Sequence, residues 1–157
     1  MKITALILPF LLAACGELVT PGIHPSNRTL GPGGGSVSLD RFTATVPPEV
    51  LAGSLTLRIE EADDAALPDG GLGPAYRLLP GDFPAPLAAA GLPVSYRMDP
   101  EELPEDLVYV DLAVARLDGD RWEPLAAAAW DPLAGEVTGR SPAGGVFTLV
   151  HAPPDLP

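Results

Sequence analysis

The 157-residue chain holds one cysteine, Cys15, one lysine, Lys2, and two histidines, His24 and His151. A single cysteine excludes an intrachain disulfide, so any folded domain must be held together by packing. Two histidines so far apart, with no further thiol, give no cluster with transition-metal spacing. Positive charge is scarce as well: 9 Lys plus Arg stand against 21 Asp plus Glu, a formal net charge of −12. Such a surface repels nucleic acid and anionic headgroups, both of which reward Lys/Arg clusters. It suits solubility and neutral or cationic partners. No apolar run approaches the roughly 20 residues of a membrane-spanning helix, and no long helical period is evident. Serine nucleophile motifs are missing too, since Ser36, Ser38, Ser54, Ser95 and Ser141 have no Gly-x-Ser-x-Gly context.

What is present begins at the first residue. Met1-Lys2 precedes an apolar run from Ile3 to Leu12, interrupted by Thr4 and Pro9, and the run closes on Leu12-Ala13-Ala14-Cys15. Lys2 supplies a positive n-region, the run is too short to span a bilayer, and Ala13 and Ala14 are small enough for a peptidase cleft. An aliphatic residue, two small residues and a cysteine resemble the lipobox of bacterial lipoproteins. That resemblance implies cleavage before Cys15, a diacylglyceryl group on its thiol and acylation of the freed amine. One acyl chain binds a membrane only marginally, so two or three on Cys15 would hold the chain there. Removal of residues 1–14 takes away Lys2 and leaves 143 residues with a net charge of −13. That length suffices for one domain and one core. Gly16, which follows the cysteine, lacks the acidic character linked to inner-membrane retention in enteric bacteria and so favours the outer membrane.

Residues 15–35 carry Pro21, Pro25, Pro32 and Gly33-Gly34-Gly35 with little apolar periodicity, and read as a flexible tether. The sequon Asn27-Arg28-Thr29 requires a eukaryotic secretory route and does not fit a lipoprotein. From residue 36 the pattern becomes short alternating runs broken by Gly, Pro and Asp. Phe42, Ala44 and Val46 alternate with threonines; Leu55, Leu57 and Ile59 with Thr56 and Arg58; Val94, Tyr96 and Met98 with Ser95 and Arg97. A longer run puts Val108, Val110, Leu112 and Val114 on one face and Tyr109 and Asp111 on the other, with a slip of phase before Leu117 that suggests a bulge or strand end. Asp118-Gly119-Asp120 is a hairpin signal leading into Arg121-Trp122-Glu123. Asp131-Pro132 and Gly135 mark the next reversal, before strands at Glu136–Thr138 and Val146–Val150. Short helical turns are expected at 48–51, 86–90 and 100–106. The expected fold class is therefore all-β: a single antiparallel β-sandwich over 36–151, behind a signal peptide at 1–14 and a tether at 15–35, with a frayed tail at 152–157.

The order of the pieces resembles a ZU5-type domain. Gly35 to Leu39, Phe42 to Val46 running into Pro47-Pro48-Glu49-Val50-Leu51, Leu55 to Glu60 and Gly73-Pro74-Ala75-Tyr76-Arg77-Leu78 are similar to its opening strands and corner. Pro84 with Leu92 to Met98, Arg121-Trp122 with Leu125, and Phe147-Thr148-Leu149 are similar to its later strands. The likeness spans about residues 33–150. It implies a β-sandwich used as an interaction or adaptor module, with no cofactor. Some members of the wider group cleave themselves at a His-Phe-Ser or His-Leu-Thr site on the final strand. The matching positions here are Val146, Phe147 and Thr148. The hydroxyl survives, but Val146 accepts no proton and His151 falls on the opposite strand face, so the site is expected to be inactive.

Other constellations carry less. Glu60-Glu61 with Asp63-Asp64, and Glu101-Glu102 with Glu105-Asp106, offer calcium-type oxygens without the alternating spacing of a defined loop. No spacing singles out a carboxylate pair for hydrolysis. Trp122 and Trp130 are expected as partly buried packing, and Ala126 to Ala129 as close contact between sheets. The resulting expectation is a non-enzymatic, lipid-anchored envelope module that meets the membrane through Cys15 and an envelope protein through its sandwich, with no metal and no nucleic acid. The alternatives are an acidic periplasmic or surface hydrolase and a calcium-stabilised adhesin-like domain.

Overall fold

The structure is a computed structural model in which residues 25–98 and 111–151 are described. The strands run β1 Ser26–Leu30, β2 Gly35–Leu39, β3 Phe42–Val46, β4 Leu55–Glu61, β5 Tyr76–Leu79, β6 Leu92–Arg97, β7 Leu112–Asp118, β8 Arg121–Pro124, β9 Ala126–Asp131, β10 Glu136–Ser141 and β11 Gly145–His151, with a helix α1 at Ala85–Ala90. They form two antiparallel sheets, neither closed into a barrel. The first sheet has six strands in the order β1-β4-β5-β11-β7-β8, and the second has five in the order β2-β3-β6-β10-β9. The all-β sandwich read from the sequence is the fold.

Alternation decides the core. In β3 the residues Phe42, Ala44 and Val46 are buried while Thr43 and Thr45 stay partly open; in β6 Leu92, Val94 and Tyr96 do the same. Inward residues of both sheets meet in one cluster that includes Val37, Leu57, Ile59, Leu78, Val114, Val137 and Leu149. Each such side chain contributes roughly 1.5–3 kcal/mol by leaving water. Aromatic rings tie the layers together. Phe42 of the second sheet stacks on Tyr76 and Phe147 of the first, at centroid separations of 5.7 and 5.3 Å, and Tyr76 meets Tyr96 edge-on at 5.8 Å. The Tyr76 hydroxyl donates to Asp40 Oδ2 at 2.7 Å, so burial first and that carboxylate second hold its pKa far above the ordinary phenol range.

Turn chemistry agrees with the sequence signals. Asp118 pairs with Arg121 across a two-residue loop in which Gly119 has φ +59°, the glycine-first pattern of a II′ hairpin. Asp131 Oδ1 accepts from the backbone N–H groups of Leu133 and Ala134 at 2.9 and 3.1 Å, closing the reversal before β10. The short helix expected at 86–90 is α1, begun by Pro84, anchored by the fully buried Leu87 and ended at Gly91 with φ +70°. The expected turn at 100–106, Tyr109 and the front of the strand expected from Val108 lie outside the described residues.

Three expectations need correction. The tether does not extend to residue 35: Ser26–Leu30 is strand β1, paired along its whole length with Leu55–Ile59 of β4. Its sequence gives little signal because an edge strand buries little, and only Leu30 of its five residues faces the core. Secondly, β7 continues unbroken through Leu117, which pairs with Trp122. The apparent slip of phase arises because both faces of this strand are apolar: Leu112, Ala113, Val114 and Ala115 are all buried. Thirdly, Ala126 to Ala129 are exposed on β9, the edge of the second sheet, and do not lie between the sheets. An extra residue there, with Ala127 at φ +55°, makes a bulge, a device that discourages edge-to-edge pairing.

Candidate interaction surface

The outer face of the first sheet is divided. Its β4–β5 half is charged: Arg58 Nη2 lies 2.7 Å from Glu60 Oε2, and Arg77 Nη1 lies 3.5 Å from Glu60 Oε1. Arg77 Nη2 also reaches both oxygens of Asp64, at 2.8 and 3.0 Å. That contact holds the Asp64 carboxyl below its ordinary pKa, by hydrogen bonding first and charge second, and raises that of Arg77. Two of the four carboxylates in the first calcium-type group are therefore engaged by arginine. Among the described residues no group of three or more His, Cys, Asp or Glu could hold a metal ion. Glu101, Glu102, Glu105 and Asp106 lie outside those residues.

The β11–β7–β8 half is apolar. Ala113, Ala115 and Val150 form a small buried cluster with Trp122 packed against it. The segment between β4 and β5, residues 62–75, crosses to this half. Its Ala66 carbonyl accepts a hydrogen bond from Trp122 Nε1 at 3.1 Å. Further along, Gly71 bridges to Val150, Leu72 N–H donates to Leu149 O at 2.9 Å, and His151 N–H donates to Gly70 O at 3.0 Å. The segment thus extends the ladder on β11 beyond β5 and pins the indole on its way.

Between those two stretches of ladder lies Thr148, fully buried, whose hydroxyl donates to Gly73 O at 3.2 Å and approaches Pro74 O at 3.4 Å. Tyr96 of the opposite sheet donates to the same Pro74 carbonyl at 3.0 Å. A Cβ at position 73 would run into the Tyr96 hydroxyl, so only glycine admits this approach. Of the degenerate cleavage positions, Val146 and Thr148 project from the outer face and Phe147 is buried in the ring stack. Phe147, Leu149 and His151 share the inner parity, and His151 Nε2 sits 3.8 Å from Asp111 Oδ2, away from the Thr148 hydroxyl. The hydroxyl is committed to backbone carbonyls.

Two adjoining clefts flank the apolar half. One, of about 300 Å³, is lined by Ala66, Leu67, Leu117, Gly119, Asp120 and Trp122. The other, of about 150 Å³, is lined by Ala62, Asp63, Ala65, Leu67, Pro74 and Ala75. They share Leu67, which is 51% exposed. Trp122 has the partly buried packing expected of it, and Trp130 is likewise half-buried against the main core. Leu67 carries no signal in the sequence, since a leucine between Ala66 and Pro68 in a loop has no periodicity to read.

The outer face of the second sheet is different in kind. Ser38 pairs with Thr43, Thr43 with Ser95, and Ser95 with Thr138, so one row of hydroxyls crosses four strands. Thr43 Oγ1 donates to Ser38 Oγ at 3.0 Å, and Ser36 and Thr45 share a second hydroxyl contact at 2.9 Å.

Leu12, Ala13, Ala14 and Cys15 lie outside the described residues. Among the described residues, no helix is long and apolar enough to cross a membrane. No protein-family profile matches the chain, and no curated protein matches it.

Proposed function

We propose that this chain is a bacterial lipoprotein, cleaved before Cys15 and anchored through lipid on that residue, whose ZU5-like sandwich serves as a non-enzymatic interaction or structural module of the cell envelope. The observation that carries the module reading is how the reactive side chains are used. Thr148 is buried and bonded to backbone carbonyls. Glu60 and Asp64 are taken up by Arg58 and Arg77. Each of the two clefts beside Leu67 has a single carboxylate in its lining, where glycoside hydrolysis uses two flanking one bond. Such surfaces bind by shape and charge. The lipoprotein reading rests on Leu12-Ala13-Ala14-Cys15 at the close of an apolar run.

Radiolabelled palmitate and membrane fractionation test the anchor in a bacterial host. The native chain is expected to take up label and sediment with membranes, and Cys15→Ser to do neither. The native chain is expected to accumulate as an uncleaved precursor in globomycin-treated cells; processing unaffected by globomycin, or palmitate label on Cys15→Ser, would sink the assignment.

A further inference from the structure

We infer that the paired clefts around Leu67 are the docking groove of the module, and that their occupant is an extended, basic polypeptide segment carrying lysine or arginine on either side of a small apolar side chain. The inference rests on reading the sandwich as a binding module and names the surface and the partner chemistry.

Three observations converge on this place. Leu67 stands half-exposed between two clefts of about 300 and 150 Å³, each roomy enough for the aliphatic stem of a basic side chain, with the small apolar residue between them at Leu67. The walls are already fixed: the Trp122 indole is held by the Ala66 carbonyl, and Pro74 is held by the Tyr96 hydroxyl. Little ordering is left for a ligand to impose, which favours affinity. Charge then selects the partner. Asp120 lines one cleft and Asp63 the other, and neither lining contains an arginine, lysine or histidine. On a chain of net charge −12 the long-range field and the local rim agree in sign. A lysine or arginine can lay its aliphatic stem on Trp122 or Leu67 and bring its charge to the carboxylate beyond.

Other places in the fold point less clearly to a ligand. The cleft of about 210 Å³ formed by Val50, Leu51, Pro84 and Pro86 has no charged group in its lining to choose an occupant. The exposed β9 edge carries its own bulge against strand addition.

The test uses the full mature lipidated chain in detergent and fluorescence anisotropy with a labelled hexapeptide that alternates lysine and valine, beside its glutamate–valine counterpart. The basic peptide is expected to bind and the acidic one not to. Leu67→Ser, at a position half in solvent, should weaken binding about tenfold with an unchanged melting temperature. Asp63→Asn with Asp120→Asn should weaken it about tenfold as well, each lost rim charge being worth a factor of roughly three. Glu49→Gln with Asp82→Asn removes the same charge elsewhere and should change binding less than twofold. Equal losses in the two charge pairs, no loss with Leu67→Ser, equal binding of the acidic peptide, or no binding at millimolar concentration would each overturn the groove. Mass spectrometry of the recovered peptide separates this from the underlying reading: a cleaved peptide refutes the module, whereas an intact, unbound one refutes only the groove.

Discussion

Both sheets turn one face to the shared core, and their opposite faces are built from different material. The second sheet presents hydroxyls: Ser38, Thr43, Ser95 and Thr138 in one row, with polar neighbours that water can solvate. The first sheet presents arginine–carboxylate pairs on one half and a buried Ala113, Ala115, Val150 and Trp122 cluster on the other. The first sheet has a segment, residues 62–75, laid against its outside. A sheet needs no cover on a face that water already satisfies. An apolar outer face does, and the cover brings with it the Leu67 clefts. The asymmetry of the two outer faces is therefore what places the candidate groove on the first sheet.

The sharpest way to break this comparison is to put the same charge on each outer face. Ala115 is 1% exposed beneath Trp122, so Ala115→Asp places a carboxylate in an apolar cluster. A loss on the order of 3 kcal/mol is expected. Ser95→Asp puts the acid on the hydroxyl face and should change stability by no more than about 0.5 kcal/mol. Urea denaturation of both variants decides the matter. Similar losses would show that the two faces are equally buried and the contrast mistaken.

Next in size is Trp122→Ala, expected to cost about 2 kcal/mol, less than a fully buried tryptophan because one side of the indole is open. It also removes the donor to Ala66. Amide exchange should quicken at residues 66–72, where the segment leans on the indole and on β11, and stay unchanged at Thr43 and Ser95. Exchange rising equally in both regions would mean global loosening instead.

Thr148→Val follows, at about 1 kcal/mol, since it keeps the side chain's bulk and deprives Gly73 O of its donor while Pro74 O retains Tyr96. The same hydroxyl bears on the cleavage-like positions Val146, Phe147 and Thr148 that the ZU5 resemblance picks out. Native chain left at pH 7 should run as one band on a denaturing gel, and fragments divided between Phe147 and Thr148 would contradict the structural role given to this hydroxyl.

How much of the fold is legible in the sequence depends on whether a strand has one apolar face or two. Strands β3, β4 and β6 alternate cleanly because their outer faces meet water, and Phe42, Leu57 and Tyr96 stand out as core. Gly119 marks its hairpin because few residues other than glycine adopt that φ readily. Strand β7 misleads, since Ala113 and Ala115 erase the period that Leu112 and Val114 create. Strand β1 stays hidden among glycines and prolines, and Ala126 to Ala129 read as interior although an edge exposes them. The Leu67 clefts join a loop to a strand pair some fifty residues away, a proximity that local pattern does not encode. Trp122 is half legible: its residue type gives partial burial, and only the fold gives the cover.

A smaller effect separates the two halves of the first sheet. Asp64 has its carboxyl pKa lowered by Arg77, so the folded state holds fewer protons there than the unfolded chain, whose value is near 3.8. The contribution is present above that value and disappears as pH falls through the lower folded one. Asp64 is exposed, so solvent screening keeps the effect slight. The melting temperatures of native chain and Asp64→Asn should differ a little at pH 6 and converge towards pH 2. A difference that grows on acidification would reverse the sign and rule out the ion pair as its source.

The smallest expected effect concerns the hydroxyl row itself. Thr43 donates to Ser38, yet both sit on a face open to water, which replaces the bond once it is gone. Valine retains the β-branched shape that strands favour. Thr43→Val should therefore leave stability within about 0.5 kcal/mol of native, and Thr43→Val with Thr138→Val should do the same, because Ser95 lies between them in the row and still faces solvent. The outcome matters because Thr148→Val is the same chemical change on the other sheet. If solvation is what distinguishes the two outer faces, one substitution costs stability where the hydroxyl is enclosed by Gly73 and Pro74 and costs almost nothing where it stands in water. Equal costs would mean that the hydroxyl row is a cooperative network in its own right, and the second sheet's outer face would then be a built surface and no longer a plain solvated one.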